Sequence, residues 1–196
     1  YDPADMPASI VDDLSAKPDI QQKKAERQRM QTCTEQDIRR ARAQYCGLVT
    51  LIDDQIGQIL AALEERGLLN STVVVYTSDH GEMMGDHGLF QKEQFYEPSV
   101  RVPLVVRFPP EFGQGIKSDA LVELIDLMPT FLETAGSDIP EACLGRSLLP
   151  ILKGVSHEHR DVVFSELGPI KMVRTSRYKY TYTAKRGGLE LYDLHT

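Results

Sequence analysis

Thr72–Lys92, TVVVYTSDHGEMMGDHGLFQK, is the stretch whose reading decides the fold. Thr72 to Thr77 is a continuous β-branched and aromatic run, the mark of a strand buried on both faces. Ser78-Asp79-His80-Gly81 follows at once, where the loops of an α/β sheet diverge and ligands gather. Adjacent side chains point opposite ways along a strand, but just past its end the backbone can turn both toward one ion. Gly81 permits such a turn at low steric cost. Asp79 offers a carboxylate oxygen and His80 an imidazole nitrogen, a pair that suits Mn or Zn, whereas Ca prefers oxygen donors. A loop holding Gly85 and Gly88 then leads to Lys92, a point charge able to neutralise an anionic substrate. The plainer alternative stays open on these residues alone: a strand, a polar surface loop and a solvated lysine. His87, with no partner in the pattern, reads as a loop residue rather than a ligand.

Upstream, Thr34-Glu35-Gln36-Asp37 has the form of a capping box, in which Thr34 and Asp37 each satisfy the other's backbone amide. Ile38, Ala41, Tyr45, Leu48, Val49, Ile52, Ile56, Ile59, Leu60 and Leu63 recur behind it at helical spacing, predicting a long amphipathic helix that ends near Gly67. Asp53 and Asp54 inside it read as an exposed helix face. Residues 1 to about 31 are polar and proline-rich, which predicts a surface segment with at most a short helix.

Downstream, VPLVVRF (Val102–Phe108) reads as a second buried strand with Pro103 at its start. A helix is expected from Asp126, as its cap, to Gly136, with Pro129 in the first turn. A helix followed by buried strands defines an α/β sheet with helices on its faces. Past GRSLLPILKG the texture changes to short strands, DVVFSEL, IKMVRTSRYKYTYTA and LELYDL, separated by turn residues. They predict a small antiparallel sheet with a hairpin turn at Arg174–Arg177. The expected division is 1–155 for the α/β part and 156–196 for the sheet subdomain.

The formal net charge of -7 argues against a nucleic-acid partner, because no basic excess exists to neutralise phosphates. No uninterrupted apolar run approaches the roughly 20 residues that cross a bilayer, so no membrane partner is expected. Cys33, Cys46 and Cys143 are too few and scattered for a disulfide framework or a zinc cluster. The chain opens at YDPADMPAS and closes at LELYDLHT in mid-pattern, which predicts a piece of a longer polypeptide and leaves the compartment, cytoplasmic or periplasmic, unread.

STVVVYTSDHGEMMGDHGLFQKEQFYEPSVRVPLVVRFP resembles the C-terminal half of the sulfatase family, within the alkaline-phosphatase superfamily. YCGLVTLIDDQIGQILAALEERGLLNST, LVELIDLMPTFLETAG, LGRSLLPILKG and the YKYTYT…LELYDL pair resemble further family landmarks in the same order. The resemblance implies an alkaline-phosphatase-like sheet flanked by helices, then a small antiparallel β subdomain. It implies metal ligands at Asp79 and His80, catalytic roles for His80 and Lys92, and contact of Lys92 with the oxygens of a sulfate or phosphate ester. One divalent ion is implied, Ca by family habit, with Mn or Zn open because of His80. Glu97, Pro98 and Arg101 are read as structural, Arg101 pairing with a buried carboxylate.

The family's C/S-x-P-x-R motif, whose Cys or Ser becomes formylglycine, is absent from this chain, as is its N-terminal aspartate pair. The nucleophile and part of the metal shell are therefore expected in a missing N-terminal part of the same protein. This chain alone is expected to be inactive. The leading expectation is sulfate ester hydrolysis in the intact protein. The alternatives are a phosphonate monoester or phosphodiester hydrolase of the same fold and, from another class, a non-catalytic fragment or split-protein piece needing a partner. An oligomer is left open.

Overall fold

The computed structural model describes residues 1–183 and 188–195. The chain divides into two compact units, Tyr1–Thr72 with Thr77–Leu104, and Val73–Tyr76 with Val105–Thr196.

The first unit is built on a helix, α2, at Glu35–Glu65, preceded by a shorter helix, α1, at Asp19–Arg27. The capping box forms as read: the Asp37 amide donates to Thr34 Oγ1 at 3.2 Å, and the Thr34 amide to Asp37 Oδ2 at 3.0 Å. Gly67, at φ 68°, takes the left-handed conformation just beyond the helix that an L side chain resists. The apolar stripe is only partly covered. Ile38 is buried, whereas Tyr45, Leu48, Val49, Ile52 and Ile59 are exposed. Asp53 and Asp54 are exposed as well. By length and composition α2 is also apolar enough to cross a membrane, although no uninterrupted apolar run was found in the sequence. Its apolar residues are interleaved with polar ones, and the two adjacent aspartates oppose insertion.

In the second unit a strand at Val74–Thr77, β1, whose last residue belongs to the first unit, pairs with β2 at Leu104–Arg107. The expectation of strands buried on both faces is not met, since Tyr76 and Val105 are exposed. Burial on both faces requires layers packed above and below the sheet, and among the described residues that cover is incomplete at these two side chains. Between the strands, in the first unit, lies a one-turn helix, α3, at Glu97–Val100.

The helix expected after Asp126 is α4, Leu127–Thr134, closed by Gly136 at φ 68°. Pro129 sits buried in its first turn. Asp126 does not cap it. The Asp126 carboxylate, 0% exposed, instead accepts the amides of Glu123 and Arg146, each at 2.8 Å, and pairs with Arg160 and His159. A short helix, α5, occupies Leu149–Leu152.

A four-stranded antiparallel sheet follows in the order β3 (Val163–Leu167), β4 (Ile170–Arg174), β5 (Tyr178–Thr183) and β6 (Gly188–Asp193). Its β4–β5 turn falls where Arg174–Arg177 was expected. Strand alternation aligns Phe164, Val173, Tyr180 and Leu191 across the sheet, while Lys179, Thr181 and Thr183 of β5 face the buried side.

Candidate active site

The end of β1 brings Asp79 and His80 together. Asp79 Oδ2 and His80 Nε2 lie 3.5 Å apart, close to the span of two donors sharing one ion at about 2.1 Å each. His80 Nδ1 lies 2.8 Å from the carbonyl oxygen of Gly81. A carbonyl only accepts, so Nδ1 carries a hydrogen, and in the neutral tautomer that leaves the lone pair at Nε2. Two lone-pair atoms facing one another across 3.5 Å repel unless a cation lies between them, whether a proton on the ring or a metal ion. The spacing is compatible with the two atoms serving as two of the donors to a divalent ion. Among the described residues no group of three or more His, Cys, Asp or Glu side chains could hold a metal ion. The pair is open to solvent, with Asp79 85% exposed.

Gly81 is required for a reason the sequence did not offer. A Cβ there would stand 1.9 Å from the carbonyl oxygen of Pro98, so the glycine permits close backbone approach. That approach docks the strand end on α3: the Gly81 amide donates to the Ser99 carbonyl at 2.8 Å and the Glu82 amide to the Pro98 carbonyl at 2.9 Å.

The loop from Glu82 to Lys92 closes on itself. The Met83 amide donates to the Gln91 carbonyl at 3.0 Å, and the Gly85 amide to the Leu89 carbonyl at 2.8 Å. The Glu82 carboxylate fills the mouth of the loop, accepting the amides of Met84 and Gln91. Met83 and Leu89 are wholly buried beneath it. Met84, His87 and Gln91 all have positive φ, 48°, 56° and 67°. For non-glycine residues such backbone costs on the order of 1 kcal/mol or more each, and it persists only where surroundings enforce it.

Much of that enforcement comes from residues 9–28, which proved more than a surface segment. The Gln28 amide group donates to the Phe90 carbonyl at 2.8 Å and accepts the Phe90 amide at 2.9 Å, copying a strand partner with one side chain. His87 hydrogen-bonds Asp12 at 2.9 Å and stacks on Tyr96 at 4.0 Å between ring centres, so it is a loop residue as expected. Burial raises the Asp12 pKa, but the hydrogen bonds and charges of His87 and Lys17 outweigh it and hold the carboxyl below its ordinary value. Asp86 takes the guanidinium of Arg42 at 2.6 Å and the Ile10 amide at 2.8 Å. Lys24, 3% exposed, stands 3.6 Å from Glu93, and desolvation keeps its pKa below the usual lysine value.

Lys92 ends this loop. Its carbonyl accepts the Ser99 hydroxyl at 2.6 Å and the Gln94 amide at 2.8 Å. Its side chain is exposed, and its ammonium makes no ion pair or hydrogen bond among the described residues. Through Ser99 the backbone of Lys92 is tied to that of Gly81, the residue after His80. Arg101 departs from expectation: it is exposed and joins no ion pair among the described residues. The buried carboxylate, Asp126, is taken by Arg160. The sequence reading missed Ser99, Glu82 and Gln28, whose side chains reach Lys92, Gln91 and Phe90 across 7, 9 and 62 residues and leave no periodic signature.

Residues 15–137 match the family model described as Sulfatase, and residues 85–196 that of the N-sulphoglucosamine sulphohydrolase C-terminal region. The chain belongs to the sulfatase family, within the alkaline-phosphatase superfamily. An arylsulfatase of Clostridium perfringens is 34% identical over 99% of this chain and 42% of its own length. The multifunctional alkaline phosphatase superfamily protein PehA of Trinickia caryophylli is 46% identical over 62% of this chain and 24% of its own length. The solved phosphonate monoester hydrolase SpPMH of Silicibacter pomeroyi superposes with a TM-score of 0.90 and 31% identity, covering 100% of this chain and 45% of that one. This chain thus spans less than half the length of these relatives.

Proposed function

We propose that the intact protein hydrolyses sulfate esters with the help of a divalent metal ion, and that Asp79, His80 and Lys92 are this chain's share of the active site. The observation carrying the proposal is the facing pair of Asp79 Oδ2 and His80 Nε2, with the Nδ1 hydrogen committed to Gly81. Asp79 and His80 would hold the ion, Ca by family resemblance, or Mn or Zn by the chemistry of an imidazole donor. Such an ion would supply Lewis acidity at an ester oxygen and would favour the ionised form of a formylglycine nucleophile contributed from outside the residues of this chain.

This chain's own residues then have separable tasks. Asp79 contributes the negative charge that retains a cation. The Gly81 carbonyl fixes the tautomer and orientation of His80, keeping Nε2 turned toward that cation. Lys92, unpaired among the described residues, offsets negative charge gathering on the departing oxygen. Stabilising charge that develops in the transition state is commonly the largest catalytic contribution. Lys92→Ala in the intact protein is expected to lower turnover of an aryl sulfate by more than about tenfold. An unchanged steady-state rate would remove Lys92 from the site.

A second reading has an observation of its own. The likeness to SpPMH extends over 100% of this chain, which supports phosphonate monoester or phosphodiester hydrolysis on the same framework. Turnover of p-nitrophenyl sulfate against that of a phenylphosphonate monoester separates the two. Sulfate preference supports the first reading and phosphonate preference the second.

A further inference from the structure

Ser99 is 2% exposed, and each of its backbone and side-chain polar groups has a partner. Its amide donates to the Tyr96 carbonyl at 2.9 Å, its carbonyl accepts the Gly81 amide at 2.8 Å, and its hydroxyl donates to the Lys92 carbonyl at 2.6 Å. The two segments proposed to meet at the ester therefore hang from one buried side chain and its own backbone. The Gln94 amide at 2.8 Å gives the Lys92 carbonyl a second donor, which together with the hydroxyl uses both of its lone pairs.

Nothing equivalent restrains the rest of Lys92. Its side chain is exposed and its ammonium has no partner among the described residues, so where the ammonium can reach is set by where the backbone is held. The residue before it, Gln91, sits at φ 67°, a backbone conformation that relaxes unless it is fastened on both sides. Glu82 fastens the N-terminal side of that kink through the Gln91 amide. Ser99 fastens the C-terminal side.

We propose that Ser99 is a positioning residue for hydrolysis: by tying the Lys92 carbonyl to the backbone that follows His80, it sets how far the lysine ammonium stands from the Asp79–His80 pair. The proposal rests on Lys92 being the group that offsets leaving-oxygen charge. It predicts a signature that a purely structural serine would not produce. If the ammonium is displaced, esters with basic leaving groups suffer most, because they need that charge most.

The test uses the intact, metal-loaded protein and a series of aryl esters of its preferred class, running from p-nitrophenol to phenol as leaving group. Ser99→Ala is expected to lower kcat about tenfold or more on the phenyl ester but only a few-fold on the p-nitrophenyl ester, the scale of a displacement short of 1 Å. KM and bound metal per protein stay near wild type. Ser99→Thr, which keeps the hydroxyl, recovers much of the loss. Ser99→Cys, of similar volume but a weaker donor, falls between and carries the test should the alanine variant fail to fold. Lys92→Ala fixes the reference slope of rate on leaving-group basicity. If Lys92→Ala shows that steep slope while the serine variants lose the same factor on every ester, or lose nothing, the Ser99 proposal is overturned. If Lys92→Ala itself shows no added slope, the reading of Lys92 is what has failed.

Discussion

Asp126 and His159 show how much one buried pair can demand of its surroundings. His159 Nε2 lies 3.1 Å from Asp126 Oδ2, with both side chains nearly inaccessible. Desolvation holds the His159 pKa below its ordinary value; the Asp126 charge opposes this, and the positive charges of Arg160 and Arg146 add to it. A histidine whose folded pKa is depressed is stabilising while neutral. Its contribution is complete above the unfolded value of about 6.5 and is lost as pH falls below it. The melting temperature of the intact protein should therefore fall as pH drops from about 7.5 toward 5.5. His159→Gln should flatten that dependence while lowering stability at neutral pH through the disturbed contact with Asp126. Identical pH slopes in the two proteins would dismiss the idea. None of this was legible in the sequence, where Asp126 looked like a helix cap. The caps and turns that were legible, Thr34 with Asp37 and Gly67, depend on neighbours within one helical turn.

Elements that look secondary in the sequence prove to hold the loop that carries the candidate lysine. α1 and the turns around it were read as surface, yet Gln28 at its end closes two hydrogen bonds on the Phe90 backbone. Gln28→Ala removes both, a loss of about 1 kcal/mol for each bond. The loss should be local. Amide hydrogen exchange across Phe90–Lys92 is expected to quicken about tenfold or more, while that of β1 is unchanged. Exchange that quickens equally in β1 would mean the glutamine supports the whole unit rather than the loop. β1 and β2 were found in place but shorter than read, and with exposed residues, because periodicity identifies a strand without counting its neighbours.

At the scale of the whole molecule, the decisive fact is length. The chain accounts for 42% of the C. perfringens arylsulfatase and 45% of SpPMH, and its described residues hold no group of three or more His, Cys, Asp or Glu side chains able to bind a metal ion. Titrated alone with Ca, Mn or Zn, the chain should bind weakly, with a Kd on the order of 0.1 mM or above, the range of the weakest protein calcium sites. Calorimetry showing tight one-to-one binding would contradict a shared shell. It would also reopen the reading of this polypeptide as a metal-binding piece in its own right.

Spacing between near neighbours was enough for the long capped helix, the short antiparallel strands and the dipeptide at the strand end, while the alkaline-phosphatase-like fold came from the resemblance of longer stretches to a family. Tertiary structure alone decided why Gly81 must be a glycine, which atom of His80 is turned outward and how Lys92 is fastened. Those answers lie with Pro98, the Gly81 carbonyl and Ser99. Such partners are chosen by how the chain folds back on itself, a three-dimensional adjacency that residue spacing does not encode.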